Sequence, residues 1–337
     1  MRISDILSID DGLVLERGDL EASIGTISTV DLLIEDSIVF IGNKTFYKKL
    51  VENTIIPRVI IFAQKYYEEI KDDEYLKSAN SVLMTSSRLP ISISKISKPF
   101  YDQKIKGLNY QVDGRKLGTV NIHPSARVGE NVFVGENVTI GEDVVIMPSV
   151  TILPSVEIEA GTVIYPNVTI YPNTKIGKGC RIHAGTVIGS DGFGYNFEKG
   201  EHLKVWHFGG VVIEDGIEIG SNTSIDQGTF SPTIIKSGAK IDNLVQIGHN
   251  VQVGKGAILC GQVGMAGSSK IGSYTVFGGK AAIGDGVTLG DGCKVAGACM
   301  VTSTFTEDGI TLGGHPARPL NEWLRGLAFI RKNSVKK

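Results

Sequence analysis

One histidine, His249, interrupts a long run of residues chosen for packing. From Ile235 to Val301 every sixth residue is apolar: Ile235, Ile241, Ile247, Val253, Leu259, Met265, Ile271, Phe277, Ile283, Leu289, Val295, Val301. His249 falls two residues after Ile247, where the chain turns a corner and faces outward. Eighteen residues on stands Gly267, in Met265-Ala-Gly-Ser268. If eighteen residues make one coil, the glycine stacks on the histidine and offers an N–H that no side chain shields. A base beside an open N–H suits acyl transfer. The imidazole takes the proton of a nucleophile, and the amide stabilises the oxyanion of the tetrahedral intermediate. Asp242, Asn243 and Gln246, on the preceding hexads, offer polar groups to orient a substrate.

Two other chemistries are weaker on spacing. The remaining histidines, His123, His183, His202, His207 and His315, are scattered over segments expected to lie far apart. None is a few residues from His249 or one coil away, so no metal site is expected. The cysteines Cys180, Cys260, Cys293 and Cys299 occupy slots that want small or modestly apolar side chains, and read as packing residues.

The elements that must position His249 follow from the period. Six is neither the 3.6 of a helix nor the 2 of a strand, and it marks a repeat unit. The residue after each apolar one is small (Gly248, Gly254, Cys260, Ala266, Gly272, Gly278, Gly284, Gly290, Ala296), as hexapeptide β-helices require at tight corners. Three hexads make a triangular coil with the apolar column inside. The same phase holds from Ile122 to Ile188, is lost through Gly189-SDGFGYNFEKGEHLKVWHFG-Gly210, and returns at Ile213, Ile219 and Ile225. A shorter insertion of about four residues lies near Thr229 to Pro232. A solenoid does not need such excursions, so the first reads as a functional loop. Its glycines lack the strand-to-helix context and lysine of a phosphate-binding loop.

The repeat domain is therefore placed at 113–306. Residues 1–112 read as a small α/β domain, with strands at 37–41 and 58–62 and a polar helical segment over 64–79. There, Phe40-Ile-Gly-Asn43-Lys-Thr-Phe46-Tyr47 sets two aromatics and an amide between a strand and a helix. The aromatics are either core, or a pair that sandwiches a flat ring whose edge Asn43 reads. Lys104 to Lys116 reads as a strand and turn joining the domains. Residues 307–337 hold an apolar stripe, Leu320, Trp323, Leu324 and Leu327, among Arg318, Arg325, Arg331, Lys332, Lys336 and Lys337. This basic helix is expected to cap the open end of the prism, and either meets an acidic partner or is simply solvated.

Composition narrows the class. The net charge of −2 argues against a nucleic-acid binder, and 42 glycines without a collagen triplet suit a solenoid of many turns. An acidic amino terminus and the lack of an eighteen-residue apolar run point to a soluble, cytoplasmic protein without stable membrane insertion.

The phrases GSDGFGY at 189–195, GGVVI at 209–213, IDNLVQIGHNV at 241–251, MAGS at 265–268 and GHPARPLNEWLR at 314–325 closely resemble the UDP-3-O-acylglucosamine N-acyltransferases of lipid A biosynthesis. FIGNKTF at 40–46 also resembles their uridine site. The resemblance implies a mainly β fold, a homotrimer of left-handed parallel β-helices with active sites between subunits. In it a UDP-sugar amine attacks the thioester of an acyl carrier protein, whose phosphopantetheine is the acyl donor; no metal or dissociable coenzyme is required. It implies His249 as base, Gly267 as oxyanion donor, and Phe40, Asn43 and Phe46 around uracil. Asp242, Asn243 and Gln246 would lie near the substrates and Met300 at the end of the acyl groove, with Arg325, Arg331 and Lys332 facing the carrier protein. The chain departs from the family pattern at Gly286, where a second histidine is usual, and at Gln227, where an arginine is usual and which should lie one coil below His249. The usual Asn-Pro-Tyr phrase is not visible near Ser86 to Ser92. A sugar O-acyltransferase of the same fold, or a catalytically silent trimer, are the competing expectations.

Overall fold

The computed structural model describes residues 1–314 and 319–334. The hexads fold into a parallel β-helix of three long sheets built from two- to four-residue strands. Register is eighteen residues per coil where the period is unbroken: Ile146 pairs with Ile164, and Ile247 with Met265. The two excursions lengthen single coils, so that Ile182 pairs with Ile219 and Ile225 with Ile247. One continuous column of buried Ile, Val, Leu and Met side chains fills the prism.

Each hexad buries two positions. Besides the sixth-residue column, the fourth residue after it is also inside: Val251, Ala257, Val263 and Ala281, and likewise Cys180, Cys293 and Cys299. The cysteines are free, and three of the four are buried. The small residue after each core position is needed for a different reason than corner strain. A Cβ on Gly248 would lie 2.9 Å from the Gly267 nitrogen, against the backbone of the next coil. The left-handed corner residue comes two positions later, at Asn250 (φ 59°) and Ser268 (φ 58°), where Asn, Ser and Gly recur.

The parallel pairing also runs further than the hexads. Thr311–Leu312 pairs with Lys294–Val295, and Ile310 and Leu312 pack against the core. The prism thus ends at Leu312, not 306, because its last coil is irregular in sequence but still closes the ladder. The C-terminal helix, Leu320–Ser334, has no buried residue, so the expected cap over the prism end is not formed by it. His315, Arg318, Lys336 and Lys337 lie outside the described residues.

The amino-terminal domain is a five-stranded sheet, β1 (Leu13–Arg17), β2 (Thr26–Ile27), β3 (Ser37–Ile41), β4 (Val59–Ala63) and β5 (Val82–Ser86), in the order β1-β5-β4-β3-β2. Only the β1–β5 pair is antiparallel. The polar segment expected as one helix is two, Gln64–Ile70 and Glu74–Ser78, because the Asp73 side chain caps the second. The linker is not a strand: a π-helical turn, Asp102–Lys106, leads to a short helix, Gly114–Leu117, capped by Asp113.

The long excursion is a β-hairpin, Tyr195–Glu198 with Glu201–Lys204, that leaves the prism and lies on the helix Leu89–Tyr101. Glu198 pairs with Arg88, and Asn196 donates to the Pro90 carbonyl and the Ser94 hydroxyl, both at 2.9 Å. Arg88 belongs to a partly buried network around Asp10, whose carboxylate is fully enclosed and accepts from Ser92 Oγ (2.5 Å) and Lys95 Nζ (2.8 Å). Burial alone raises the Asp10 pKa, but Lys95, Ser92 and the Gly12 amide outweigh it and hold it below the usual value of 3.8. Its stabilising contribution is therefore complete above the unfolded-state pKa and is lost as pH falls through the folded one. Asp10→Ala should cost about 2 kcal/mol at neutral pH. Urea unfolding at pH 7 and at a pH well below 3.8 should show the wild-type advantage shrink at the acid end.

Candidate active site

Three strands stacked in register, Gln246–Ile247, Gly264–Met265 and Ala282–Ile283, set three corners one above another. The middle of each is His249, Gly267 and Asp285. A Cβ on Gly267 would lie 2.6 Å from His249 Nε2, so only glycine admits the ring there. The Gly267 carbonyl accepts from the Gly286 N–H at 3.0 Å, while its own N–H has no hydrogen-bond partner among the described residues. This is the arrangement that the eighteen-residue arithmetic predicts.

His249 is half-buried, and its tautomer follows from its neighbour. Asn250 Oδ1 accepts from the Thr229 N–H (2.9 Å) and Thr229 Oγ1 (2.8 Å), and Asn250 Nδ2 donates to the Ser231 carbonyl (2.8 Å). The amide orientation is thereby fixed, with Oδ1 3.3 Å from His249 Nδ1. Nδ1 is the donor and Nε2 the basic nitrogen, facing Gly267. The short insertion at 229–232 is thus what anchors Asn250.

The cleft at this corner, of about 600 Å³, is lined by Asp191, Phe193, Tyr195, Lys204, Asp226 and Asp285 together with the His249–Gly267 pair. Asp191 is ion-paired with Lys204 and accepts from Gln227 Nε2 at 3.0 Å. Gln227 is buried one coil below His249, as expected, and its Oε1 also accepts from the Gly210 N–H. It ties the two ends of the long excursion together. Asp226 was not singled out by spacing. Burial raises its pKa, against the lowering effects of Gln246, His249 and Ser190.

His207 corrects the expectation that the other histidines lie far from His249. The excursion returns it to the site, with ring centroids 5.2 Å apart and planes at 65°. It is completely buried, and Nδ1 donates to the Val205 carbonyl at 2.9 Å. Burial, reinforced by His249, lowers its pKa to about 4.

The other predicted residues are dispersed. Gln246 lies in the cleft. Asp242 and Asn243 do not: they sit one corner earlier, in a groove with His183, Glu218 and Cys260. Asn243 Oδ1 accepts from the Ser221 N–H, and Asp242 Oδ1 from the Asn243 N–H, both at 2.7 Å. Met300 is 55% exposed on the strand next to Ala282. Phe40 and Phe46 make no ring contact with each other among the described residues. Phe40 packs on Phe230, as the core reading has it, and Phe46 is 43% exposed at a second cleft between the domain and the prism. Asn43 Oδ1 is already committed as helix cap, accepting from the Thr45 and Phe46 amides, which leaves only its Nδ2 donors for a ligand. Arg325, Arg331 and Lys332 lie on the exposed C-terminal helix. No described helix is long and apolar enough to cross a membrane.

This corner, repeated coil on coil, is that of a hexapeptide-repeat, left-handed parallel β-helix protein. Family profiles agree: "Bacterial transferase hexapeptide (six repeats)" matches residues 137–170 and 155–190, and "Hexapeptide repeat of succinyl-transferase" matches 270–303. The chain is similar to the UDP-3-O-acylglucosamine N-acyltransferase of Helicobacter hepaticus, 47% identical over 151 residues covering 44% of this chain and 46% of the relative. The enzyme of that name from Wolinella succinogenes is 44% identical over 157 residues, covering 46% and 49%. A probable mitochondrial one from Arabidopsis thaliana is 46% identical over 148 residues, covering 44% and 48%. The matched segment spans less than half the length of each of these relatives. A solved structure, the UDP-N-acetylglucosamine acyltransferase of Francisella novicida, aligns with 62% of this chain and 72% of its own at 27% identity and a TM-score of 0.41.

The buried His207 has a measurable consequence. Its folded pKa lies below the unfolded value of about 6.5, so the unfolded chain binds more protons between the two and stability falls as pH is lowered through that window. From pH 7.5 to pH 5 this group should remove about 2 kcal/mol. Chemical unfolding of wild type and His207→Phe at both pH values should show a loss that is larger in wild type by about that amount.

Proposed function

We propose that the chain is an N-acyltransferase that moves a 3-hydroxyacyl group from acyl carrier protein to the 2-amino group of a UDP-3-O-acylglucosamine, in the lipid A pathway of the cytoplasm. The observation that carries this reading is the His249–Gly267 pair: a basic Nε2 against an unpaired N–H on the next coil. The sugar amine attacks the thioester carbonyl carbon, and His249 Nε2 takes its proton. The oxyanion is held by the Gly267 N–H. Collapse breaks the C–S bond, and the imidazolium returns its proton to the departing pantetheine thiolate. Every atom is accounted for by the two substrates and one imidazole, so this chemistry calls for no metal or dissociable coenzyme.

Three features fit the substrates. The cleft brings Asp191, Asp226 and Asp285 against one lysine, Lys204, a field that favours an amine over a hydroxyl acceptor. Along the same sheet the outward positions run Gln246, Gly264, Ala282, Met300. Two small residues between two long ones leave a trough that spans three strand spacings, about 14 Å at ~4.8 Å each, for an acyl chain that Met300 would stop. The second cleft, with Phe46 at its edge and Lys49 and Lys270 both bonded to Asp31, suits the uridine and its phosphates.

Asp242 and Asn243 occupy a different corner from His249 within one chain, and a homotrimer reconciles this. In the proposed homotrimer, one subunit's Asp242 corner would face its neighbour's His249 corner. Arg325, Arg331 and Lys332, on a helix with no buried face, would meet the acidic carrier protein. The O-acyltransferase alternative is disfavoured by the acid-lined cleft and the uridine-type domain. The silent-paralogue alternative rests on Gly286 and Gln227, which stand where the resemblance implies a second histidine and an arginine.

Purified protein offered acyl-carrier-protein thioester should acylate the amino-sugar acceptor and not its 2-hydroxy counterpart. His249→Ala should lower kcat/KM by about 1,000-fold, as loss of a general base does. Equal use of both acceptors, or an unimpaired His249→Ala variant, would remove the proposal; no turnover by intact wild type would favour the silent trimer.

A further inference from the structure

The chemistry above uses His249 and leaves unexplained the imidazole beside it. His207 is completely buried, its Nδ1–H is given to the Val205 carbonyl, and its Nε2 is enclosed without a hydrogen-bond partner. Enclosed polar atoms are almost always paired, so one that is not asks for a use.

The strap that carries it shows what that use is. Neighbouring residues turn to opposite sides. The Trp206 backbone N–H donates to Ser97 Oγ (3.1 Å) and its ring packs on Tyr101 with centroids 4.7 Å apart, so it belongs to the amino-terminal domain. Phe208 is buried in the same domain's core, against Phe230. His207, between them, points the other way, onto the ring of His249. On the opposite arm of the excursion Gly192 fills the remaining space: a Cβ there would lie 2.6 Å from His249 Cβ and 2.8 Å from His207 Nε2. The GSDGFG glycine is therefore required by close approach of two imidazoles rather than by a phosphate.

We propose that His207 is a positioning residue which, with Gly192, fixes the His249 ring so that its Nε2 stays on Gly267. The ring must be flat to fit beside Gly192 and must carry no charge next to a base that becomes cationic during turnover. A neutral imidazole meets both, and its Nδ1–H bond to the Val205 carbonyl orients it. The groups that face it are His249, Asp191 and Lys204, and the last two are already paired with each other.

The kinetic part of the test rests on the acyl-transfer reading; the spectroscopic part does not. Full-length protein labelled at histidine is compared by NMR as wild type, His207→Ala, His207→Phe and Gly192→Ala, alongside steady-state kinetics. Removing the ring in His207→Ala, or intruding on it in Gly192→Ala, should move the His249 resonances and lower kcat by up to about 100-fold, the scale of a 1 Å misplacement, with KM for the nucleotide sugar within about twofold. His207→Phe keeps the flat ring and should leave the His249 signals close to wild type, restore most of kcat and preserve the pH profile. Unmoved His249 signals in both His207→Ala and Gly192→Ala would overturn the proposal. So would a His207→Phe variant as impaired as His207→Ala with His249 in place, since that would make the ring nitrogens, not the ring, the essential feature. A wild type with no turnover would remove the acyl-transfer reading and leave the resonance comparison as the test.

Discussion

The whole arrangement depends on the rung-to-rung register of the β-helix. Ile225, Ile247, Met265 and Ile283 lie directly above one another because their strands exchange backbone hydrogen bonds in parallel. A parallel ladder cannot slip by one residue without turning its buried column to solvent. That rigidity turns a number in the sequence into a distance in space. Gly267 meets His249 for the same reason that Met265 meets Ile247, and the corner between them is held by packing far from the site.

On this frame the site is assembled from departures. The short insertion at 229–232 supplies Thr229 and Ser231, which lock Asn250 and so the tautomer of His249. The long one supplies Asp191, Phe193, Lys204 and His207, and it is fastened to the amino-terminal domain by Arg88, which pairs with Glu198 of the hairpin, and by Ser97, which accepts from the Trp206 backbone N–H. A solenoid alone would offer a row of equivalent corners. The two insertions make one of them unlike the rest, and they join it mechanically to the domain whose cleft faces the prism at Lys270 and Gly286.

What could be read beforehand follows the same division. Anything fixed by periodicity was legible: the coil length, the buried column, the slots of Cys180, Cys293 and Cys299, the stacking of Gly267 on His249, and Gln227 one coil below. Anything fixed by a loop's return path was not. His207 is 42 residues from His249 in the chain, and no period links them. Asp242 precedes Gly248 by one hexad, so the same coil arithmetic puts it at the previous corner of its own chain. The capping role of Asn43 is carried by a signal present in the sequence, its position directly before Lys44–Val51. The C-terminal stripe buries nothing, and the ladder at that end is closed instead by the irregular coil that reaches Leu312.

The most direct test is a crystal structure of the protein with the amino-sugar acceptor and a non-hydrolysable acyl thioester analogue bound together. The account requires the sugar nitrogen within hydrogen-bond reach of His249 Nε2 and the analogue's carbonyl oxygen on the Gly267 N–H. An acceptor seated at another corner of the rod, or an imidazole turned away from both ligands, would contradict it.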